Sequence, residues 1–322
     1  MSTEMTRHAL NGATMGTRWS ALFHSSDIDA GEVTAACQSA VDDIDAQMST
    51  WRPDSDLMRL NTAEVGAWVA VPEHLLSVLL LGLEVGRASG GAFDISMGRA
   101  VDAWGFGAKS ADEAAILAAM QETLQPADAL EIDSGAARVR KHRDVQFDLN
   151  GIAKGYGVDR LAETLGEFGI ADGLVGIDGE LRALGTQPNG EGWTVAVEMP
   201  DVKRRSIHSI LTLETGAVAT SGDYRHWIAV GGRRLSHTMD PTRNAPLIAS
   251  PASVTVVAET CATADAWATA MMVLGPDAGT HLAAKYGLNV LFLLRGDNGD
   301  IHAKQVGPLF AETGAANDVA GV

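Results

Sequence analysis

The residues of this chain whose types and spacing best suit chemistry are Asp265 and Thr269, within TCATADAWATAMMVLG (260–275). Side chains four residues apart on an α-helix lie on one face, about 5–6 Å apart at Cβ. A carboxylate and a hydroxyl so placed suit Mg²⁺, which prefers oxygen ligands and commonly keeps a bound phosphate. A structural interpretation is also open, in which Asp265 complements the helix dipole and Thr269 bonds to the helix backbone.

A second group of candidates lies in FDLNGIAKGYGVDRL (147–161). Here Asp148 is expected to end a strand, Gly151 to lie in a turn and Lys154 to open a helix. A strand that passes through a glycine turn into a helix N-terminus offers an anion both N–H groups and a dipole, and Lys154 adds a positive charge. The segment lacks the third glycine of a dinucleotide-binding fingerprint. An ordinary strand–turn–helix with a solvated lysine is the alternative.

Two further segments carry aromatic or titratable side chains. Phe93 and Asp94 follow the glycine pair of GGAFDISMGRAVDAWGFG (90–107). Aromatic residues beside glycine-rich backbone suit stacking on a planar ring or, equally, packing beneath a loop. In SHTMDPTRNAP (236–246), His237 titrates near neutrality. It is therefore a candidate base, or else a structural residue of the turn.

The polar segment ATSGDYRHW (219–227) adds Ser221 and Arg225 as candidates to line a cleft. The sequence contains no nucleophile elbow, zinc-binding helix or Walker loop. What it offers is a set of hard oxygen ligands, a phosphate-binding backbone, an aromatic loop and a histidine. Together these favour nucleotide phosphate chemistry with Mg²⁺, because a metal ion supplies the positioning and the charge neutralisation that phosphoryl transfer needs.

The charge of the chain narrows the function further. With 41 acidic and 24 basic residues among 322, the formal net charge is −17. Such a surface repels nucleic acid and anionic lipid, so a general role in binding either is excluded. A bound phosphate must therefore be held by local positive charge, by backbone N–H groups or by a metal ion.

Cysteine content and hydropathy indicate the compartment. Cys37 and Cys261 form neither a disulfide framework nor a zinc site, and both are expected to be buried free thiols. No segment is long enough to span a membrane. The first 16 residues lack the apolar core of a secretory signal. The chain as written is therefore expected in the cytoplasm, and in the periplasm if a leader has been removed.

Hydrophobic periodicity predicts an α+β fold with a mixed, largely antiparallel sheet flanked by helices. Short β-like runs that adjoin through turns favour antiparallel pairing. One domain over residues 1–322 is expected, with short flexible tails at about 1–10 and 310–322. Helices are expected at 27–50, 73–88, 111–122, 154–169, 263–274 and 277–286. Strands are expected at 14–24, in short runs between 173 and 258, and last at 288–294, with a hairpin at 130–147.

Five segments of the sequence resemble the ApbE family, the FAD:protein FMN transferases. In the family's order they are TMGTRWS, GGAFDISMGRAVDAWGFG, FDLNGIAKGYGVDRL, GAVATSGDYRHW with SHTMDP, and ADAWATA. The resemblance runs from about residue 11 to 295 and is specific in combination. It implies an ApbE-like fold and an enzyme that binds FAD and Mg²⁺. Such an enzyme transfers the FMN half to a threonine or serine hydroxyl of a partner protein as a phosphodiester and releases AMP.

The resemblance also implies roles for individual residues. Asp265 and Thr269 match the side-chain metal ligands, and Gly151 matches a residue that ligates through its backbone carbonyl. His237 matches a histidine that helps to activate the acceptor hydroxyl, so the expected catalytic residues are His237 and Asp265. The residues expected to bind FAD are Met15, Ala92, Phe93, Asp94, Asp148, Lys154 and His237.

The chain departs from the family pattern in two places. It shows none of the secretion or lipoprotein signals that many relatives carry. Asn244 stands where relatives often have glycine after the Asp–Pro turn, and asparagine tolerates a left-handed backbone. Three functions remain open at this point: transfer of FMN to a protein, Mg²⁺-dependent hydrolysis of FAD to FMN and AMP, and flavin binding without catalysis.

Overall fold

The computed structural model describes residues 5–122, 129–201, 204–224, 227–230, 233–296 and 298–311. The strands are β1 (Thr6–Thr14), β2 (Thr17–Ser25), β3 (Trp68–Ala70), β4 (Leu130–Asp133), β5 (Arg138–Lys141), β6 (Gly173–Ile177), β7 (Glu180–Leu184), β8 (Trp193–Glu198), β9 (Ile207–Leu213), β10 (Gly216–Gly222), β11 (Trp227–Val230), β12 (Arg233–Ser236), β13 (Met239–Asp240), β14 (Ala245–Pro246), β15 (Ser253–Ala258), β16 (Asn289–Arg295) and β17 (Ile301–Val306). The helices are α1 (Ala30–Met48), α2 (Asp56–Thr62), α3 (Glu73–Ala88), α4 (Gly98–Ala103), α5 (Glu113–Gln121), α6 (Ala153–Glu167), α7 (Cys261–Tyr286) and α8 (Pro308–Ala311).

Eight of these strands form one sheet in the order β1-β2-β6-β7-β10-β15-β16-β17. Every ladder in this sheet is antiparallel. The remaining strands form a three-stranded sheet, β3-β5-β4, and the pairs β8-β9, β11-β12 and β13-β14. The predicted α+β fold with a largely antiparallel sheet is confirmed.

The main sheet is covered on both faces, and side-chain alternation along β16 shows how. Val290 and Phe292 belong to the apolar cluster that includes α7 residues such as Met271. The intervening Leu291 and Leu293 pack with residues of β8 and β9 and with Phe310 of α8. Because successive strand residues point to opposite faces, helices cover one face and the β8-β9 pair and α8 cover the other. The buried cysteines are free thiols, as predicted.

Helix bounds follow the sequence signals closely. The α3 helix has the predicted bounds, and α1, α5 and α6 lie within one to three residues of theirs. The two helices expected at 263–274 and 277–286 correspond to α7, which Gly275 interrupts with φ 69° and ψ 179° immediately before Pro276. Proline has no backbone N–H with which to continue the hydrogen bonding of the first helix. The break therefore lies between the two predicted helices.

Four expectations about strands and termini need correction. The first strand was expected at 14–24, but a strand precedes it, because Met15 and Gly16 form the turn of the β1-β2 hairpin. The N-terminal half of β1 occupies part of the predicted tail at about 1–10.

The hairpin expected at 130–147 ends at Lys141, so Asp148 does not end a strand. The strand predicted as the last is followed by β17. Most of the predicted tail at 310–322 lies outside the described residues.

Within the described part of the chain, no helix combines the length and the apolar character that a membrane crossing requires.

Candidate functional site

A cleft of about 1330 Å³ lies where the N-terminal parts of α6 and α7 meet the β1-β2 turn and the loop after α3. All ten residues to which the family resemblance gives a role line it. They are Met15, Ala92, Phe93, Asp94, Asp148, Gly151, Lys154, His237, Asp265 and Thr269. We call one part of the cleft the acidic end, formed by Gly151, Lys154, Asp178, Glu180, Asp265 and Thr269. We call the other part the loop end, formed by Met15, Ala92, Phe93, Asp94, Asp148 and His237.

Asp265 is fixed by a close approach of α6 to α7. The backbone N–H of Gly155 donates to Asp265 Oδ2 at 3.0 Å, and the Asp265 side chain is buried. A Cβ at position 155 would lie 2.4 Å from the carbonyl oxygen of Cys261 and 2.8 Å from Asp265 Cβ. Only glycine lets the two backbones approach this closely. The absence of a side chain at Gly155 therefore allows the backbone bond that positions the Asp265 carboxylate.

A second buried carboxylate holds the start of α7. Asp159 accepts hydrogen bonds from the backbone N–H groups of Cys261 at 2.8 Å and Ala262 at 2.9 Å. The Arg182 side chain donates to the same carboxylate at 2.7 Å. These bonds satisfy N–H groups that the first turn of a helix leaves unpaired. They join α6, β7 and α7 immediately before the helical turn that carries Asp265.

Thr269 follows Asp265 by one helical turn and faces Gly151. A Cβ built on Gly151 would lie 3.0 Å from Thr269 Oγ1 and 3.2 Å from Phe93 Cε2. The hydroxyls of Thr269 and Ser221 are 3.4 Å apart. The backbone of the Gly151 turn, the Thr269 hydroxyl and the Asp265 helix face therefore converge on one part of the cleft. Ser221 lines this cleft as expected, whereas Arg225 lies outside the described residues.

Lys154 lies among carboxylates at the first turn of α6. Its Nζ is 2.8 Å from Glu180 Oε1 and 3.8 Å from Asp178 Oδ2. Burial lowers the pKa of Lys154, but the charges of Glu180 and Asp265 outweigh that effect and leave the pKa above its ordinary value. Lys154 therefore stays protonated. The ammonium N–H groups that do not bond to Glu180 can donate to an anion.

The acidic end carries more negative than positive charge. Burial raises the pKa of Asp265 above its ordinary value, and the nearby charge of Glu180 raises it further, while Lys154 acts in the opposite direction. Three carboxylates, those of Asp178, Glu180 and Asp265, face the single ammonium of Lys154. A bound cation would relieve this imbalance.

The available donors limit which cation suits the acidic end. Among the residues that the structure describes, no group of three or more His, Cys, Asp or Glu side chains is placed to hold a metal ion. A metal ion here would depend instead on mixed oxygen donors: the Asp265 carboxylate, the Thr269 hydroxyl and the Gly151 carbonyl. Such a set suits Mg²⁺, which commonly takes one or two carboxylates together with waters and substrate phosphates.

The loop after α3 shapes the loop end of the cleft. Gly90 and Gly91 have φ of 68° and 88°, which end the helix and turn the chain into Ala92, Phe93 and Asp94. The Phe93 ring is buried, and its backbone N–H is bonded to the Ser89 hydroxyl at 3.0 Å. Asp94 Oδ1 accepts from the backbone N–H and the hydroxyl of Ser96, at 2.7 and 2.6 Å. The Asp94 carboxylate is thus oriented by its own turn.

Asp148 is held by a similar local turn. Its carboxylate accepts from the backbone N–H and the side-chain amide of Asn150, each at 2.9 Å. Burial raises the pKa of Asp148 to about 6, and the hydrogen bond from the Asn150 backbone reduces that shift. Asp148 therefore changes charge in a mildly acidic range rather than near pH 4.

Met15 and His237 complete the loop end from two different turns. Met15 has a φ of 44° at the β1-β2 turn, and its Cε lies 3.2 Å from where a Cβ on Gly157 would be. His237 follows β12, and its ring meets Phe106 edge-on, with the ring centroids 6.4 Å apart. Asn244 has a φ of 47°, as its replacement of a glycine led us to expect.

Among the cleft residues that were not predicted from the sequence are Trp51, Asp178 and Glu180. Trp51 is 62% exposed, which is unusual for a tryptophan. Its position beside Pro53 in a turn was the available signal. Asp178 and Glu180 flank Gly179 between β6 and β7, and Glu180 is buried at the start of β7. The sequence signal for Glu180 was its charge, because a strand position that faces inward is normally apolar.

Comparison with known proteins gives a consistent family assignment. A family model described as the ApbE family matches residues 15–292. The chain is 34% identical over 303 residues to the FAD:protein FMN transferase of Klebsiella pneumoniae (strain 342), covering 91% of this chain and 86% of that protein. It is 31% identical over 322 residues to the FAD:protein FMN transferase of Escherichia coli (strain K12), covering 96% and 89%.

Solved structures agree with the sequence comparison. The flavin transferase ApbE from Vibrio cholerae has a TM-score of 0.84 at 30% identity, with 96% of this chain and 100% of that chain covered. The apo form of the Pseudomonas stutzeri flavinyl transferase ApbE has a TM-score of 0.84 at 33% identity, with both chains covered completely. The chain belongs to the ApbE family.

Proposed function

We propose that this protein is an enzyme that transfers the FMN half of FAD to a threonine or serine hydroxyl of a partner protein and releases AMP. One observation carries the proposal: in a chain similar to FAD:protein FMN transferases, the ten predicted residues line a single cleft. The cleft volume of 1330 Å³ exceeds the roughly 300–1,000 Å³ of common small-molecule sites. It therefore has room for a dinucleotide and for an incoming side chain.

We propose Mg²⁺ as the metal ion of this reaction, held by the side chains of Asp265 and Thr269 and by the carbonyl of Gly151. The donor set is all oxygen, and the surplus of carboxylates at the acidic end favours a divalent cation. When bound, such an ion neutralises charge on phosphate oxygens and so stabilises the transition state of phosphoryl transfer.

The chain's own residues account for the remaining steps of the proposal. Lys154 binds the pyrophosphate as a fixed cation, because its neighbouring carboxylates keep it protonated. Phe93 and Met15 hold the flavin at the loop end. An imidazole nitrogen of His237 accepts the proton of the acceptor hydroxyl while the hydroxyl oxygen forms a bond to the FMN phosphorus. The bond from that phosphorus to the bridging oxygen breaks, and AMP leaves with that oxygen.

The test is incubation of the protein with FAD, Mg²⁺ and a candidate threonine-containing acceptor, followed by measurement of AMP and of intact mass. Transfer predicts AMP release together with a mass gain of one FMN on the acceptor, and loss of that gain when the target threonine is replaced by alanine. AMP and free FMN without a mass gain would indicate hydrolysis instead. Binding of FAD without AMP would contradict both reactions.

A further inference from the structure

Glu180 has a carboxylate oxygen that the fold does not use. The residue begins β7, is only 5% exposed and lines the cleft. Its Oε1 accepts from Lys154 Nζ at 2.8 Å. Its Oε2 is buried and has no hydrogen-bond partner among the described residues. Leaving a buried acceptor unpaired is unfavourable, and a charged one more so, so such an atom in a native fold calls for an explanation.

The position of Glu180 indicates which kind of donor the free oxygen would meet. The first turn of α6 contacts two carboxylates through adjacent residues: Lys154 binds Glu180, and the N–H of Gly155 binds Asp265. Because Lys154 and Gly155 are adjacent, Glu180 and the proposed metal ligand Asp265 both lie at the acidic end of the cleft.

We propose that Glu180 belongs to the divalent cation site as an outer ligand, with Oε2 accepting a hydrogen bond from a water molecule bound to the metal ion. The inference rests on the magnesium proposal above. Mg²⁺ dehydrates reluctantly and usually keeps several waters, and groups that bond to metal ligands from outside tune metal affinity. Asp265, Thr269 and Gly151 leave coordination positions for such waters. Glu180 contributes both an acceptor and a negative charge.

The test measures metal binding without FAD and without turnover. Mn²⁺, used alone as a probe of the Mg²⁺ site, is titrated into the full chain, and free Mn²⁺ is followed by electron paramagnetic resonance. Glu180→Gln keeps the size and the bond to Lys154 but removes the charge and the second acceptor. We expect it to bind Mn²⁺ about 10–100-fold more weakly than wild type. Competition by Mg²⁺ checks that the probe occupies the same site.

The Lys154→Met background separates this role from a structural one. Lys154→Met removes the Lys154–Glu180 ion pair from the other side and also removes a positive charge that repels the metal ion, so it should bind Mn²⁺ more tightly than wild type. If Glu180 acts on the cation, adding Glu180→Gln to Lys154→Met weakens Mn²⁺ binding again, by about 10–100-fold. If Glu180 serves only to position Lys154, Glu180→Gln leaves Mn²⁺ affinity unchanged in that background, and that result would overturn the inference.

Glu198→Gln is the matched control for loss of an acidic side chain that lines the same cleft. Its Mn²⁺ affinity should equal that of wild type, and a loss as large as that of Glu180→Gln would contradict a specific role for Glu180. If Glu180→Gln does not fold, Glu180→Asp replaces it, since it keeps the charge and withdraws the carboxylate by one methylene. Weaker binding by Glu180→Asp supports the bond to a metal-bound water, and wild-type affinity contradicts it.

The two proposals fail in distinguishable ways. Absence of Mn²⁺ binding by the wild-type chain would contradict the metal site and, with it, the role of Glu180. Normal Mn²⁺ binding by wild type together with unchanged affinity in Glu180→Gln would overturn the role of Glu180 alone and leave the metal site standing.

Discussion

The acidic end and the loop end of the cleft are held in place by different kinds of contact. At the acidic end, bonds join residues far apart in sequence, such as Gly155 with Asp265 and Lys154 with Glu180. At the loop end, carboxylates bond to residues only two positions ahead, as Asp94 does with Ser96. Met15 owes its position to a tight turn.

This difference has consequences for function. A substitution at the acidic end changes a charge in a buried group of charges and disturbs the packing of α6 against α7. Electrostatic effects are large there because buried charges are poorly screened. A substitution at the loop end alters one local turn. We therefore expect the largest losses of activity from substitutions at the acidic end.

Asp265→Ala should cause the largest loss of all. It removes the proposed carboxylate ligand, so the pyrophosphate charge would be left without its metal ion. The expected drop in the rate of AMP release exceeds the roughly 10²–10⁴-fold that loss of a general base typically causes. Wild-type activity of Asp265→Ala at saturating Mg²⁺ would refute the assignment. Asp265→Asn, which can still accept the Gly155 N–H, is the control for folding.

His237→Ala should slow FMN transfer by about 10²–10⁴-fold, the range expected for a general base. The charges of the acidic end remain intact in this variant, so the Mg²⁺ concentration that gives half of its maximal rate should stay at the wild-type value. Initial rates of AMP release over a Mg²⁺ series measure both quantities. A larger loss in His237→Ala than in Asp265→Ala would reverse the order of the two ends.

The same contrast explains how much could be predicted from the sequence. Local signals gave α3 its bounds, because its apolar spacing ends at Ser89 before a glycine pair. The break of α7 at Gly275 was likewise visible, since proline follows it. The helical spacing of Asp265 and Thr269 likewise predicted that they share one helix, and both side chains line the cleft. These features depend on residues within one or two turns of each other.

Features that depend on long-range contacts were not predictable in this way. Nothing in the sequence around Glu180 indicates that β7 brings it to Lys154, 26 positions away. Asp159 lies within the helix predicted at 154–169, yet no local signal indicates that it bonds to the start of α7, 102 positions away. Likewise, β8 and β9 pair with each other outside the main sheet, a division that was not predicted among the short β-like runs between 173 and 258.

A glycine pair within α6 tests the packing side of the comparison. Gly155→Ala would place a Cβ 2.4 Å from the Cys261 carbonyl oxygen, so α6 and α7 must separate. We expect a loss of about 1–3 kcal/mol in the free energy of unfolding, as for other overpacked sites, and weaker metal-dependent activity. Gly166→Ala is the control, because a Cβ there meets no atom within 4 Å. Helix propensity should make that variant up to about 1 kcal/mol more stable. Urea unfolding measures both, and equal stabilities would contradict the close approach.

The smallest expected effect concerns Asp148 at the loop end. Burial raises the pKa of Asp148 to about 6, whereas the unfolded chain should show about 3.9. The folded state thus binds the proton more tightly, and wild type loses stability as the pH rises from about 4 to 6. The shift sets an upper limit of about 3 kcal/mol, which solvent screening of a partly exposed carboxyl reduces to about 1 kcal/mol.

Asp148→Asn removes this charge, so it should be more stable than wild type at pH 7.5, with the difference vanishing toward pH 4. Urea unfolding at several pH values measures the difference. A constant difference across that range would show that Asp148 keeps an ordinary pKa, and that the loop end is more open to solvent than its turn geometry implies.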